Sequence, residues 1–335
     1  MASADAAGLD ERRKSMREFW RATGPANLAL LPLSWIFGAC VGARRLAYRC
    51  GIARQRRMPV PVVVVGGIAA GGGGKTPFVI ALARQLTEAG CAPGVISRGY
   101  RGSAKGTQLV TDATPPAECG DEPLLIRLET GAPVCVGRNR PDAAVRLLAA
   151  CPEVDVILSD DGLQHLALAR DLEIAAVDPD YGLGNGWMLP AGPLREPKGR
   201  LRTVDRVSGI PDGAASLSVV KSELLTLSGD ERVDPEKLEG TVAAVAGIAN
   251  PGRFFAALED AGIAVAERHA FPDHHPYAPG DLSRIRAGRI VMTSKDAVKC
   301  REFADERCLR WKVTYTADDG TIGRILRLVH GPQAA

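Results

Sequence analysis

Short β-branched runs alternate along this chain with stretches whose apolar residues fall at helical spacing. PVPVVVVG (59–66) is an apolar run bounded by proline and glycine, and it predicts a buried strand of a parallel sheet. GGGGKT (71–76) follows, and then PFVIALARQLTEAG (77–90). That segment has Val79, Leu82, Ala83, Leu86 and Ala89 on one face, proline in its first turn and glycine at its stop, which predicts a helix. The rhythm continues with strands over 92–97, 107–110, 133–137, 154–159 and 172–178, and helices over 122–130 and 141–150. Such β-α-β alternation implies a doubly wound parallel sheet. Residues 179–211 are rich in Gly and Pro and too long for an ordinary connection, so a functional loop is expected there. Weak alternation over 204–228 predicts short linking strands. A second α/β unit opens with TVAAVAGIA (241–249). Asn250 and Pro251 then start a helix through Phe254, Phe255, Leu258 and Ala261. Further strands are expected over 263–268, 289–293 and 309–314, and a last helix over 319–330.

At roughly 150 residues per domain, 335 residues make about two domains, each able to bury an ordinary core. With 46% hydrophobic and 24% charged residues, the chain is neither a disordered tail, a collagen nor a polytopic membrane protein. Eight scattered cysteines without a C-x-x-C pair or a zinc pattern read as reduced thiols of a cytosolic protein. The net charge of +3 excludes a strongly basic nucleic-acid binder, but it hides an asymmetry. Residues 1–57 carry eleven Lys/Arg against four Asp/Glu, and no acidic residue lies between Phe19 and Thr87.

That basic segment encloses an uncharged one. Arg12, Arg13, Lys14, Arg17 and Arg21 precede LALLPLSWIFGACVG (28–42), and Arg44, Arg45, Arg49, Arg54, Arg56 and Arg57 follow it. A signal peptide lacks the trailing basic cluster. A spanning helix needs about 20 apolar residues, and Gly24, Pro25, Asn27 and Pro32 interrupt this run. A buried hairpin is the plain alternative. The reading preferred on composition is an element lying in the membrane interface, with Trp20, Trp35 and Tyr48 near headgroups and arginines on anionic lipid.

The chemistry is concentrated in a few places. Strand, GGIAAGGGG, Lys75–Thr76 and helix reproduce the tail of a phosphate-binding loop, although Ala69 stands where the full pattern has glycine. Amides of Gly71, Gly72, Gly73 and Gly74 would curl around phosphate oxygens, Lys75 would reach the β/γ-phosphates of ATP, and Thr76 would place its hydroxyl on Mg²⁺. VDVILSDD (154–161) is an apolar strand ending in Asp160 and Asp161, either of which could hold that Mg²⁺. Taken alone, Asp121 and Glu122 are ordinary acidic residues at a helix N-terminus.

The segments LLPLSWIFG (30–38), GGGGKTP (71–77), VISRGYRG (95–102), GDEP (120–123), VGRNR (136–140), SDDGLQH (159–165), GLGNGWMLPAGPLREP (182–197), AVAGIANPGRFF (244–255), FPDHHPY (271–277) and MTSKDAVK (292–299) extend over nearly the whole chain. In these the sequence resembles the tetraacyldisaccharide 4'-kinase family of lipid A synthesis in Gram-negative bacteria. The resemblance implies transfer of the ATP γ-phosphate to the 4'-hydroxyl of a tetraacylated glucosamine disaccharide 1-phosphate. That lipid would be met at the cytoplasmic face of the inner membrane, with the anionic leaflet as partner, the chain a monomer and no nucleic acid involved. It implies a P-loop NTPase-like domain over 58–203, a β linker over 204–228 and a smaller α/β/α domain over 229–335, behind an N-terminal membrane-associated helical segment over 1–57. It makes Asp121 the base, paired with His274 or else His275. Arg98, Tyr100, Glu122, His165, Arg195 and Glu196 are candidates for substrate contact; Arg195 could grip the 1-phosphate by a forked contact or be a solvated loop arginine, and His165 could contact substrate or only finish a strand. Lys295 and Asp296 would face the site or cap a helix. The chain departs from the family at Gly67 for Asn, Gly73 for Thr and Ser294 for Glu. Two other classes compete: a soluble P-loop switch or metallochaperone, and a non-catalytic nucleotide-binding membrane adaptor.

Overall fold

Four valines, Val62–Val65, are almost wholly buried and occupy a strand near the middle of a seven-stranded sheet. This computed structural model describes residues 16–71, 73–209, 215–227 and 229–331. Gly72, Arg12, Arg13 and Lys14 therefore lie outside the described residues. Among those described, one compact unit comprises 16–218 with 315–331, and a second comprises 219–314.

The first unit opens with helices α1 (Pro25–Ala29) and α2 (Leu31–Arg49). Then come β1 (Val62–Gly66), α3 (Lys75–Glu88), β2 (Pro93–Ser97), β3 (Gln108–Val110), α4 (Pro116–Cys119), α5 (Asp121–Thr130), β4 (Val134–Val136), α6 (Arg140–Ala150), β5 (Val156–Asp160), β6 (Leu172–Ala176) and β7 (Arg206–Ser208). The sheet order is β3-β4-β2-β5-β1-β6-β7, parallel except for the antiparallel β3 edge. β1 is flanked by β5 and β6, so the chain reverses its direction of travel across the sheet here. Loops after such strands form a crevice. The register pairs Val65 with Asp160, setting the start of the glycine turn beside the carboxylates.

The second unit is built on a six-stranded sheet ordered β11-β10-β12-β13-β8-β9. Its strands are β8 (Leu217–Thr226), β9 (Arg232–Val233), β10 (Val242–Ala246), β11 (Val265–Ala270), β12 (Arg289–Thr293) and β13 (Cys308–Ala317). Helices α7 (Pro251–Asp260), α8 (Pro279–Ser283) and α9 (Ser294–Cys300) connect them, and α10 (Asp319–His330) is the last helix of the described residues. The β linker expected over 204–228 contributes to both sheets: β7 completes the first, β8 enters the second. The last helix, expected with the C-terminal domain, belongs to the first unit. Gln85 of α3 exchanges two hydrogen bonds with the backbone of Ala317, at 2.7 and 3.1 Å.

Pro32 does not interrupt α2. It sits in its first turn, where the missing N–H costs nothing. The helix is inside out. Its polar Ser34 is buried, accepting from Ala191 N–H at 3.0 Å and donating to the Met188 carbonyl at 2.8 Å. Asn27 of α1 is buried likewise and donates to the Ala191 carbonyl at 3.0 Å. Trp35 and Ile36, by contrast, are 70% and 61% exposed. No described helix is long and apolar enough to cross a membrane.

Candidate functional site

Two glycines explain how the turn after β1 is held. A side chain on Gly66 would come within 2.9 Å of the Leu163 backbone nitrogen, so only glycine lets the SDDGLQH segment cross directly above β1. Gly74 has φ +74°, a left-handed residue that swings the chain into α3. That helix begins at Lys75, two residues before the proline, so the Lys75 and Thr76 amides are among its unpaired N-terminal donors. Gly73 packs against the end of β6, where a Cβ would lie 3.1 Å from the Ala176 carbonyl. Glycine for threonine thus lets the turn settle closer to the sheet. A Cβ on Gly67 would lie 3.4 Å from Arg195 Nη2. Beside the turn runs a shallow groove lined by Gly67, Ala70, Gly73, Lys75, Asp178 and Tyr181 among others. Arg17 borders it too, bonded to Asp178 at 3.0 Å and lying over the Tyr181 ring.

Lys75 reaches back to the Gly71 carbonyl at 2.8 Å and lies 3.9 Å from Asp161 Oδ1. Asp160 and Asp161 have opposite surroundings. Asp160 is buried and accepts from Ser97 Oγ at 3.2 Å through Oδ2, while its Oδ1 has no hydrogen-bond partner among the described residues. Burial, followed by the Glu122 and Asp161 charges, pushes its pKa up to about 7. Burial would raise Asp161 as well, but Lys75 and Arg195 outweigh it and hold that carboxyl well below the usual range. Arg195 forks onto Asp161 at 2.9 and 3.1 Å and donates to the Gly67 carbonyl at 2.8 Å. Its terminal nitrogens, expected to grip a substrate phosphate, are therefore engaged within the protein. Glu196 is not presented to a substrate either. It is 3% exposed and bonded by Arg45, Gln164 and Arg200.

Asp121 and Glu122 open α5. Asp121 is 6% exposed and accepts the Glu122 amide at 3.0 Å. Arg98 and Tyr100 follow β2 on the surface. His165 is partly buried, and burial together with Arg140 and Arg98 lowers its pKa to about 4. Arg140 is a structural residue that sequence reasoning missed. It is 1% exposed and donates to the Gly137 and Asp160 carbonyls at 2.8 and 3.0 Å, so a buried cation stands behind the acidic pair. Burial lowers its pKa to about 10. The only signal for it is its place in VGRNR.

In the second unit, His274 adopts φ +60°, rare for a non-glycine residue and typical of functional loops. Its Nε2 lies 3.2 Å from Lys295 Nζ, which also reaches Asp273 at 3.3 Å. His275, the alternative to it, is bonded to Asp281 at 3.1 Å and stacked on Phe271. Asp296 does not face a site. It is fully buried, accepts from Thr293 Oγ1 and the Gly247 amide, and pairs with Lys299 at 2.8 Å. Ser294 donates to the Trp311 carbonyl at 3.3 Å.

The first unit's site suits a cation that brings its own phosphate ligands. No group of three or more His, Cys, Asp or Glu among the described residues forms a metal cage. The orphaned Asp160 oxygen and the Thr76 hydroxyl are, however, the oxygen donors that Mg²⁺ takes beside a nucleotide.

Comparison with known proteins accords with this geometry. The family profile described as Tetraacyldisaccharide-1-P 4'-kinase matches residues 26–329. A protein of Azoarcus sp. (strain BH72) named tetraacyldisaccharide 4'-kinase is 48% identical over 93% of this chain and 95% of its own length. One of the same name from Methylobacillus flagellatus is 46% identical over 92% of this chain and 94% of its own. A crystal structure of LpxK from Aquifex aeolicus in complex with ATP superposes with a TM-score of 0.79 at 28% identity, covering 91% of this chain and 99% of that one.

Proposed function

The chain belongs to the tetraacyldisaccharide 4'-kinase family, and on that premise we propose that it transfers the γ-phosphate of ATP to the 4'-hydroxyl of tetraacyldisaccharide 1-phosphate in lipid A synthesis. The observation that carries the site assignment is the pairing of Val65 with Asp160. It sets a lysine-bearing glycine turn and two unlike carboxylates at adjacent strand ends. Such a site positions phosphates and neutralises them, which is most of what phosphoryl transfer needs. Amides of the turn and Lys75 hold the β- and γ-phosphates. Thr76 and Asp160 would hold Mg²⁺, which offsets phosphate charge when bound. Asp161, fixed by Arg195, keeps Lys75 aimed at the turn.

On this reading Asp121 takes the proton of the 4'-hydroxyl as its oxygen bonds to the γ-phosphorus and the β–γ bridge breaks to release ADP. His274 is the histidine that the family resemblance pairs with this role. Its left-handed backbone, rare outside glycine, marks it for a functional role. Arg98, Tyr100 and His165 serve the acceptor's sugar and 1-phosphate, whereas Arg195 and Glu196 hold the site's shape. Asp121→Asn should lower kcat by about 10²-fold or more and leave the KM for ATP within about twofold. A raised KM at normal kcat would move Asp121 to nucleotide binding.

The inside-out α2 supports docking on an anionic leaflet, apolar residues down and Arg44 and Arg49 at headgroup level. There the chain works as a monomer at the cytoplasmic face of the inner membrane, with no nucleic-acid partner. The switch and metallochaperone readings leave the exposed helix face without a task, and the adaptor reading leaves Asp121 without one.

A further inference from the structure

We propose that Arg45, on α2, is a positioning residue for this site: it holds Glu196 and, through Glu196 and Gln164, fixes the carbonyl that keeps Arg195 on Asp161. The activity arm of its test rests on the kinase reading above.

Arg195 and Glu196 are neighbours whose side chains serve opposite sides of one loop. Arg195 forks onto Asp161, while Glu196 turns into a buried ionic cluster. One Glu196 oxygen accepts from Arg45 Nη1 and from Arg200 Nε at 3.2 Å, and the other from Gln164 Nε2 at 2.8 Å. Gln164 Nε2 also donates to the Gly67 carbonyl at 3.1 Å, the oxygen that accepts from Arg195 at 2.8 Å. The Arg195 amide is bonded to the Ile68 carbonyl at 2.6 Å. The first residues of the glycine turn are thus clamped by the loop that carries Arg195, and Glu196 sets where that clamp sits.

Charge counting isolates Arg45. Within the cluster Glu173 and Glu196 are balanced by Arg170 and Arg200. Arg45 is a third guanidinium on the same pair, contributed by a separate helix. Removing it leaves no unpaired buried carboxylate, so the large penalty for orphaning a charge does not arise. What is lost is a directional, charge-assisted bond that registers α2 against the loop. The other anchors of the N-terminal helices, Asn27 and Ser34, reach Ala191 and Met188, earlier in the same loop. Arg45 alone among these anchors reaches the residue next to Arg195. The helix with the exposed apolar face is therefore tied by a salt link to the residue next to Arg195, and so to the start of the phosphate-binding turn.

The test compares Arg45→Ala and Arg45→Lys with the wild-type protein in kinetics, thermal unfolding and hydrogen exchange. Arg45→Ala should lower kcat about tenfold, with the KM for ATP within about twofold, as supporting contacts around a site do. Arg45→Lys, which keeps the charge but not the guanidinium geometry, should recover part of that loss. The melting temperature should move by less than about 2 °C. Amide exchange should quicken at residues 161–165 and 192–197 and stay unchanged in β1. Wild-type kcat and wild-type exchange in Arg45→Ala would overturn the proposal. So would a kcat loss matched by a fall in melting temperature and faster exchange in β1. If the wild-type protein itself transfers no phosphate, the kinase reading fails, and the exchange comparison still decides the role of Arg45.

Discussion

Asp160 and Asp161 are adjacent in sequence and electrostatically opposed: one is buried with an unsatisfied oxygen, the other sits between a lysine and an arginine. Two acids closing an apolar strand were legible in the sequence as a pair, but their division of labour was not. It depends on Arg195, 34 residues away, and on Ser97 at the end of a neighbouring strand. The same holds for Glu196, whose partners come from three separate segments. His165 offers a check on this electrostatic picture. Its pKa is lowered to about 4, by burial first and then by Arg140 and Arg98, so the folded state binds fewer protons than the unfolded chain between pH 4 and about 6.5. Stability contributed by the neutral ring is present above that window and is lost as pH falls through it. The His165 ring resonances should stay unchanged from pH 8 to about 5 in NMR. A midpoint near 6.5 would show that the ring is solvated and unopposed.

Element by element, most strands and helices were readable because their apolar periods and their Gly and Pro stops are local. Boundaries moved where hydrogen bonding overrode composition, as when α3 started at Lys75 rather than Pro77. The Gly/Pro-rich segment 179–211 was recognisable as unusual but not as the platform for the N-terminal helices, since its bonds to Asn27 and Ser34 span more than 150 residues. α2 itself misleads a reader who assumes that apolar means inward. Deleting residues 1–57 would strip the bonds to Ala191, Met188 and Glu196 and disturb the site. A sharper experiment is the double substitution Trp35→Ser, Ile36→Ser. Both side chains are largely exposed, so the melting temperature should shift by less than about 2 °C while cosedimentation with anionic vesicles falls severalfold. Undiminished vesicle binding would assign docking to another surface.

At the scale of the whole molecule, the net charge of +3 is the sum of a basic N-terminal region and a slightly acidic remainder. Two α/β units were evident from the alternation of strands and helices. The return of the last helix to the first unit was not, because its placement depends on contacts far apart in sequence, such as that of Gln85 with Ala317. The assignment of this chain to ATP-dependent phosphorylation of an acylated disaccharide gathers these parts into one claim. The direct test is transfer of labelled γ-phosphate from ATP to tetraacyldisaccharide 1-phosphate by the wild-type protein and by Lys75→Ala in parallel. Wild-type protein should label the acceptor at its 4' position, and Lys75→Ala should retain no more than about a hundredth of that rate with an unchanged melting temperature. No labelled lipid from the wild type, or equal labelling by both proteins, would contradict the account.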